Sequence, residues 1–181
     1  MKGFSYFLRI SLTLLLITAL VALALAGVNS ITKDRIAAIQ AEKTQKAIEQ
    51  VLPGGYDRTI TEFEDETGLV QAIYVSGKGY AVEVTPIGFD NTITMMVGVD
   101  LEGKVLGISV MSHTATNGLG EVAAAQNAKG EAFRGQFVGQ SGELAVSKDG
   151  GTIEAITGAT ITSRAVTAGV NAAIACVEKL G

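Results

Sequence analysis

The sequence predicts an α+β protein: an N-terminal membrane-spanning helix, then one domain with a twisted, mainly antiparallel sheet and flanking helices. Three observations predict it. Residues 10–32 carry no charged side chain. Residues 69–110 hold short apolar runs of alternating pattern between Gly-rich turns, as in an antiparallel meander. Helical periodicity holds before and after that segment, so helices at its two ends can cover the sheet. A length of 181 residues suits one modest domain with an appendage.

The apolar start centres on residues 12–26, rich in Leu and Ala. A span of roughly 20 apolar residues crosses a bilayer once, so the expectation is a membrane anchor. A cleaved signal peptide is the competing reading: Lys2 and Arg9 make a short basic start, and Ala22-Leu23-Ala24 and Ala24-Leu25-Ala26 resemble small-residue cleavage sites. No cysteine follows Ala26-Gly27, so a lipoprotein site is not expected. Lys33, Arg35, Lys43 and Lys46 follow the span and outnumber Lys2 and Arg9 before it, a slight lean toward a cytoplasmic domain.

Residues 31–52 read as a helix continuing out of the membrane and serving as a spacer. Ile36, Ile39, Ala47, Ile48 and Val51 recur at roughly helical spacing, Glu42 and Lys46 form an i, i+4 pair, and Pro53-Gly54-Gly55 stops it. Strands follow at Val70–Val75, around Tyr80, Val82 and Val84, around Ile93, Met95, Val97 and Val99, and at Val105–Val110. Ser76-Gly77-Lys78-Gly79 reads as a hairpin turn, with Pro86, Gly88 and Asp90-Asn91 marking the next connection and Asp100-Leu101-Glu102-Gly103 the third. Residues 111–120 form a polar, Gly-rich loop. Residues 121–133 read as a helix, and residues 141–156 as one or two strands around the turn Lys148-Asp149-Gly150-Gly151. Thr160 or Thr162 opens a last helix to about Lys179, with Val166, Val170, Ala173, Ile174 and Val177 on one face.

Composition narrows the function. The net charge is −4 and the two basic residues of the first 30 meet no acid there, so the rest of the chain is acidic and lacks the basic stripe of a nucleic-acid binder. One cysteine, Cys176, and one histidine, His113, exclude a disulfide framework, a Cys-based metal centre and a multi-histidine metal site. Cys176 reads as a small buried side chain. His113 has no Ser-His-Asp setting around it, and more readily orders its loop than serves a hydrolase. The acidic run Glu62, Glu64, Asp65 and Glu66 reads as a solvated loop.

The densest local signal is Glu154-Ala155-Ile156-Thr157-Gly158-Ala159-Thr160-Ile161-Thr162-Ser163, with small residues and hydroxyls at a strand-to-helix junction. The N-terminus of a helix presents free N–H groups and a positive dipole end, which favour phosphate. Gly158 and Ala159 admit a bulky group close to the backbone. Plain N-capping by Thr or Ser accounts for the same residues without a ligand. Leu119 and Ile161 could offer apolar contact to a ring. Backbone N–H groups of residues 118–120 and the hydroxyls of Thr114, Thr116 and Thr162 could meet its polar edge.

Thr157-Gly158-Ala159-Thr160 resembles the flavinylation motif of FMN-binding domains that carry FMN through a threonine phosphoester. The resemblance implies FMN on Thr160, delivered from FAD by a flavin transferase. Glu154 stands where the family usually has Asp. His113-Thr114-Ala115-Thr116-Asn117-Gly118-Leu119-Gly120 is similar to a family loop that reads His-Thr-Glu-Thr-Pro-Gly-Leu-Gly; Ala115 and Asn117 replace an acid and a proline. Val28-Asn29-Ser30-Ile31-Thr32-Lys33-Asp34-Arg35-Ile36, Val51-Leu52-Pro53-Gly54, Gly79-Tyr80-Ala81-Val82-Glu83-Val84, Met95-Met96-Val97-Gly98-Val99-Asp100 and Phe133-Arg134-Gly135-Gln136-Phe137 extend the likeness. Together they resemble the RnfG family of Rnf electron-transport complexes, whose relatives include a longer component of sodium-pumping NADH:quinone reductases.

That resemblance implies a chain divided into an anchor at 1–30, a connecting helix at 31–54 and an FMN-binding domain at 55–181. It implies an electron carrier without catalytic residues or metal ligands of its own. Thr157, Gly158, Ala159, Ile161, Thr162, Thr114, Thr116, Gly118, Leu119 and Gly120 would surround the flavin. The partners implied are the other membrane and peripheral subunits, the flavin transferase and the bilayer, but no nucleic acid. The complex would couple reduced ferredoxin and NAD⁺ to Na⁺ or H⁺ movement, with the flavin domain outside the cytoplasm on the inner (plasma) membrane, opposite to the charge lean. Two other readings remain: a membrane-anchored assembly or binding module holding no flavin, and a secreted enzyme using His113.

Overall fold

The computed structural model describes residues 2–89, 92–113, 123, 125 and 127–180, with side chains from residue 6 onward. The chain forms two compact units, Met1–Glu42 and Lys43–Gly181.

Helix α1 (Lys2–Val51) runs unbroken for 50 residues. In the first unit its Leu12, Leu14–Ile17, Leu20, Leu23 and Leu25 side chains are exposed on every face. Its apolar stretch reaches a mean hydropathy of 2.5 with no part buried. A helix that is apolar all round and unburied matches lipid, and its length suffices for a bilayer.

The second unit is built on five antiparallel strands in sequential order: β1 (Arg58–Ile60), β2 (Val70–Ser76), β3 (Gly79–Val84), β4 (Ile93–Asp100) and β5 (Val105–His113). Ser76 pairs with Gly79, so Gly77-Lys78 is a two-residue hairpin loop as the sequence predicts. In the third turn the Asp100 carboxylate accepts from the N–H groups of Glu102 and Lys104 at 2.9 and 2.8 Å. Helix α2 (Ala128–Gly135) and helix α3 (Thr160–Glu178) complete the unit, with a 3₁₀ turn at Ser147–Asp149 between them.

The larger core lies between one sheet face and α3. Val82, Val84, Met95, Val97 and Val99 meet Val166, Val170, Ala173, Ile174 and Val177, closed at one side by Phe133, Phe137, Val146 and Ile153. Helix α3 has a mean hydropathy of 1.2, but two-thirds of it is buried, which makes it a core helix. A second core fills the other face: Ala47, Ile48, Val51 and Leu52 pack on Ala81 and Met96. The last turns of α1 therefore do more than space the anchor, and β4 is buried on both faces through Met95, Met96, Val97 and Val99. Gly98 lets them approach: a Cβ there would fall on the Val51 carbonyl oxygen and 2.9 Å from the Val51 Cβ.

Two expected elements differ. Of the helix expected over 121–133, Ala123 is helical, Ala125 is not, and residues 121, 122, 124 and 126 lie outside the described residues; helix α2 begins at Ala128, where the Asn127 side chain accepts from the N–H groups of Lys129 and Gly130 at 3.1 and 3.0 Å, a strong N-cap. The strands expected in 141–156 reduce to one parallel bridge, Val146↔Ile153. Between those two residues the chain spends itself on the 3₁₀ turn, which ends on Gly150 in the left-handed region. The acidic run is more than a solvated loop. Asp65 accepts from the Thr67 hydroxyl at 2.6 Å and the Val70 N–H at 2.8 Å, while Glu66 pairs with Lys179 at 2.6 Å.

Candidate functional site

The segment Glu154–Thr162 turns from the end of the parallel bridge into α3. Two side chains brace it. The Gln136 amide, at the C-terminal end of α2, accepts from the Glu154 N–H at 2.7 Å and donates to the Glu154 carbonyl at 3.2 Å. Ser163, fully buried, accepts from the Ile156 N–H and donates to the Ala159 carbonyl, both at 3.0 Å. Gly158 sits at φ +82°, where a side chain is disfavoured.

Helix α3 starts after Ala159, whose side chain cannot cap it, and the N-cap position makes no side-chain hydrogen bond to the first-turn N–H groups. The capping reading of the threonines is thus not what the structure uses. Thr160 is half-buried, and its hydroxyl accepts a hydrogen bond from Lys148 Nζ at 3.1 Å. Lys148 is carried by the 3₁₀ turn, which a two-pronged ion pair ties to α3: Arg164 Nε meets Asp149 Oδ2 at 2.7 Å and its terminal nitrogen meets Oδ1 at 2.5 Å. That hydrogen bonding holds the Asp149 carboxyl below its ordinary range and pushes the Arg164 guanidinium up.

A cavity of about 450 Å³ elsewhere on α3 is lined largely by small and apolar groups, among them Ala168, Ala172 and Ile174. The cavity that holds the predicted acceptor is about 380 Å³ and is lined by Phe89, Lys148, Gly158, Ala159, Thr160, Ile161 and Thr162. Thr157 instead joins Glu154, Gln136 and Phe133 around a separate cavity of about 630 Å³. Five of the predicted residues are thus together, and Thr157 faces elsewhere. Thr114, Thr116, Gly118, Leu119 and Gly120 lie outside the described residues, as do Ala115 and Asn117. His113 closes β5, with Nδ1 buried and without a partner among the described residues. Cys176 is buried, and burial pushes its thiol pKa up, away from reactivity.

The sequence pattern does not single out Phe89 or Lys148. Phe89 lies between β3 and β4, two residues after Ile87, which bridges to Thr92. Lys148 is visible there only as part of a turn; its sole signal is a cation twelve residues before Thr160. The donor set suits a phosphate ester: a hydroxyl, an ammonium, first-turn backbone N–H groups and no carboxylate among the described lining residues. Phe89 and Ile161, both exposed, offer apolar surface beside it.

Comparison with known proteins agrees with this chemistry. Residues 88–175, which carry β4, β5, α2 and most of α3, match the FMN-binding domain family. Residues 1–51 match the RnfG N-terminal region. The G subunit of the ion-translocating oxidoreductase complex of Methanosarcina acetivorans is 30% identical over 177 residues, covering 92% of each chain. The proteins of the same name from Photorhabdus laumondii and Haemophilus influenzae are 35% and 34% identical, covering 87% of this chain and 84% of theirs. The chain belongs to this RnfG family, the G subunits of ion-translocating oxidoreductase (Rnf) complexes.

Proposed function

We propose that this chain is a membrane-anchored flavoprotein electron carrier in an ion-translocating ferredoxin:NAD oxidoreductase complex, with FMN joined to Thr160 by a phosphoester. The observation that carries the reading is the Thr160 hydroxyl itself. It stands at the cavity, is free of capping duty and lies beside an ammonium. Attachment is a group transfer. Thr160 Oγ forms a bond to the FMN phosphorus of FAD, the pyrophosphate P–O bond breaks, AMP leaves with the bridging oxygen, and the hydroxyl proton is released. A flavin transferase is the partner that performs it.

Bound FMN supplies one- and two-electron redox chemistry. The chain's residues hold and orient it: Thr160 by the ester, Lys148 and the first-turn N–H groups at the phosphate, Phe89 and Ile161 as apolar walls. The ester keeps the carrier from diffusing away. The exposed apolar helix supports a single-pass anchor in the cell membrane. An extracytoplasmic flavin domain that passes electrons between neighbouring subunits is what the resemblance in the sequence implies.

The test is co-expression of the full chain with a flavin transferase, followed by a denaturing gel read for flavin fluorescence. The native chain is expected to fluoresce and Thr160→Ala to lose the signal entirely. A Thr160→Ala band that still fluoresces overturns the attachment site.

A further inference from the structure

We propose that Lys148 is the positioning residue of the acceptor: it orients the Thr160 hydroxyl before transfer and neutralises the phosphodiester afterwards. The inference rests on the attachment reading above and goes beyond it, since nothing in the motif from Glu154 to Ser163 contains this residue. Three observations carry it. Lys148 Nζ donates to Thr160 Oγ1 at 3.1 Å across twelve residues of chain. A donated hydrogen bond occupies an oxygen lone pair and leaves the hydroxyl proton free to depart, while the positive charge favours the oxygen as it loses that proton.

The second observation is how the lysine is held. An exposed lysine ordinarily samples many rotamers, but the turn beneath this one is fixed. Ser147 N–H donates to the Ile153 carbonyl at 2.8 Å, and Asp149 forks onto Arg164, one helical turn beyond Thr160. The fork also engages the neighbouring carboxylate with Arg164, so Asp149 does not draw the ammonium away from the cavity. The third is charge. Among the described residues lining the cavity, Lys148 is the only ionised side chain. Transfer places one negative charge on the new diester, and Lys148 is its counter-ion.

The experiment follows the rate of attachment to the full chain with purified flavin transferase and FAD, by intact mass and denaturing-gel fluorescence. Three variants are compared with the native chain: Lys148→Met, Lys148→Arg and Thr160→Ala. The side chain is exposed, so thermal midpoints should match within error. Lys148→Met is expected to attach FMN about tenfold more slowly or worse, a typical loss for one charge-assisted hydrogen bond. Lys148→Arg should recover to within about threefold, because charge and donors are restored. Native-like rates in Lys148→Met overturn the role. Equal slowing in Lys148→Met and Lys148→Arg also overturns it, since a counter-ion would be rescued. Labelling that persists in Thr160→Ala instead removes the attachment reading and this inference with it.

Discussion

The Ser163 side chain is completely buried and makes two hydrogen bonds, one to the Ala159 carbonyl and one from the Ile156 N–H. It closes the loop that ends in Thr160 and leaves that threonine's own hydroxyl for other use. Replacing it with alanine strands the Ile156 N–H in a part-buried place. Ser163→Ala should therefore lose about 1–3 kcal/mol, read as a lowered midpoint in thermal denaturation. A loss near zero would mean that water reaches Ile156 and that the loop is closed by other means. At this scale the site is only partly legible in the sequence. Gly158, Ala159, Thr160, Ile161 and Thr162 are contiguous, so their chemistry reads as one string. Lys148 arrives through the bridge Val146↔Ile153, and Phe89 through a hairpin connection before β4. Nothing in local spacing marks either of them, because tertiary contacts bring them to the helix start.

The elements divide in the same way. Strands β2 to β5 are legible because their apolar residues alternate with the pleat, and α3 because its apolar face has helical period. The foot of α1 is not. Its apolar residues continue a pattern that upstream belongs to lipid, so Ala47, Ile48, Val51 and Leu52 look the same as a spacer's wetted stripe. In the structure they cover the sheet face opposite α3, and Gln50 adds a hydrogen bond from the Ser109 hydroxyl on β5 at 2.6 Å. Ile48 is only 1% exposed. Ile48→Ala should cost about 2–5 kcal/mol through lost burial and the cavity left behind. Denaturant unfolding of the full chain in detergent checks this. The same substitution at Ile39, which is exposed and belongs to the first unit, should leave the midpoint unchanged. Equal effects at both positions would contradict a core confined to the helix foot.

For the whole molecule, the acidic balance makes stability depend on pH in two opposed ways. Asp65, Glu66 and Asp149 are held below their ordinary values. For Asp65 desolvation acts upward, but the hydrogen bond from the Thr67 hydroxyl and those from backbone N–H groups, Val70's among them, outweigh it. For Glu66 and Asp149 the cause is hydrogen bonding to Lys179 and Arg164. Such groups contribute stability above their unfolded pKa, and it is lost as pH falls through the folded one. Glu83 behaves in reverse. It lies half-buried on the same sheet face as Ala81, and desolvation raises its pKa from 4.5 despite the Tyr74 hydroxyl 3.5 Å away. Burial likewise pushes Tyr74 up to about 12, with the Glu83 charge adding to it. A raised carboxyl binds its proton more tightly in the folded state, so stability falls as pH climbs from 4.5 through the folded value. Glu83→Gln keeps an acceptor for Tyr74 and removes the charge. Its thermal midpoint should equal the native one below about pH 4, where both states hold the proton. From there the variant should pull ahead as pH rises, with the gap levelling off once native Glu83 is ionised. A gap that stays constant across the range would mean that shape, not ionisation, separates the two proteins.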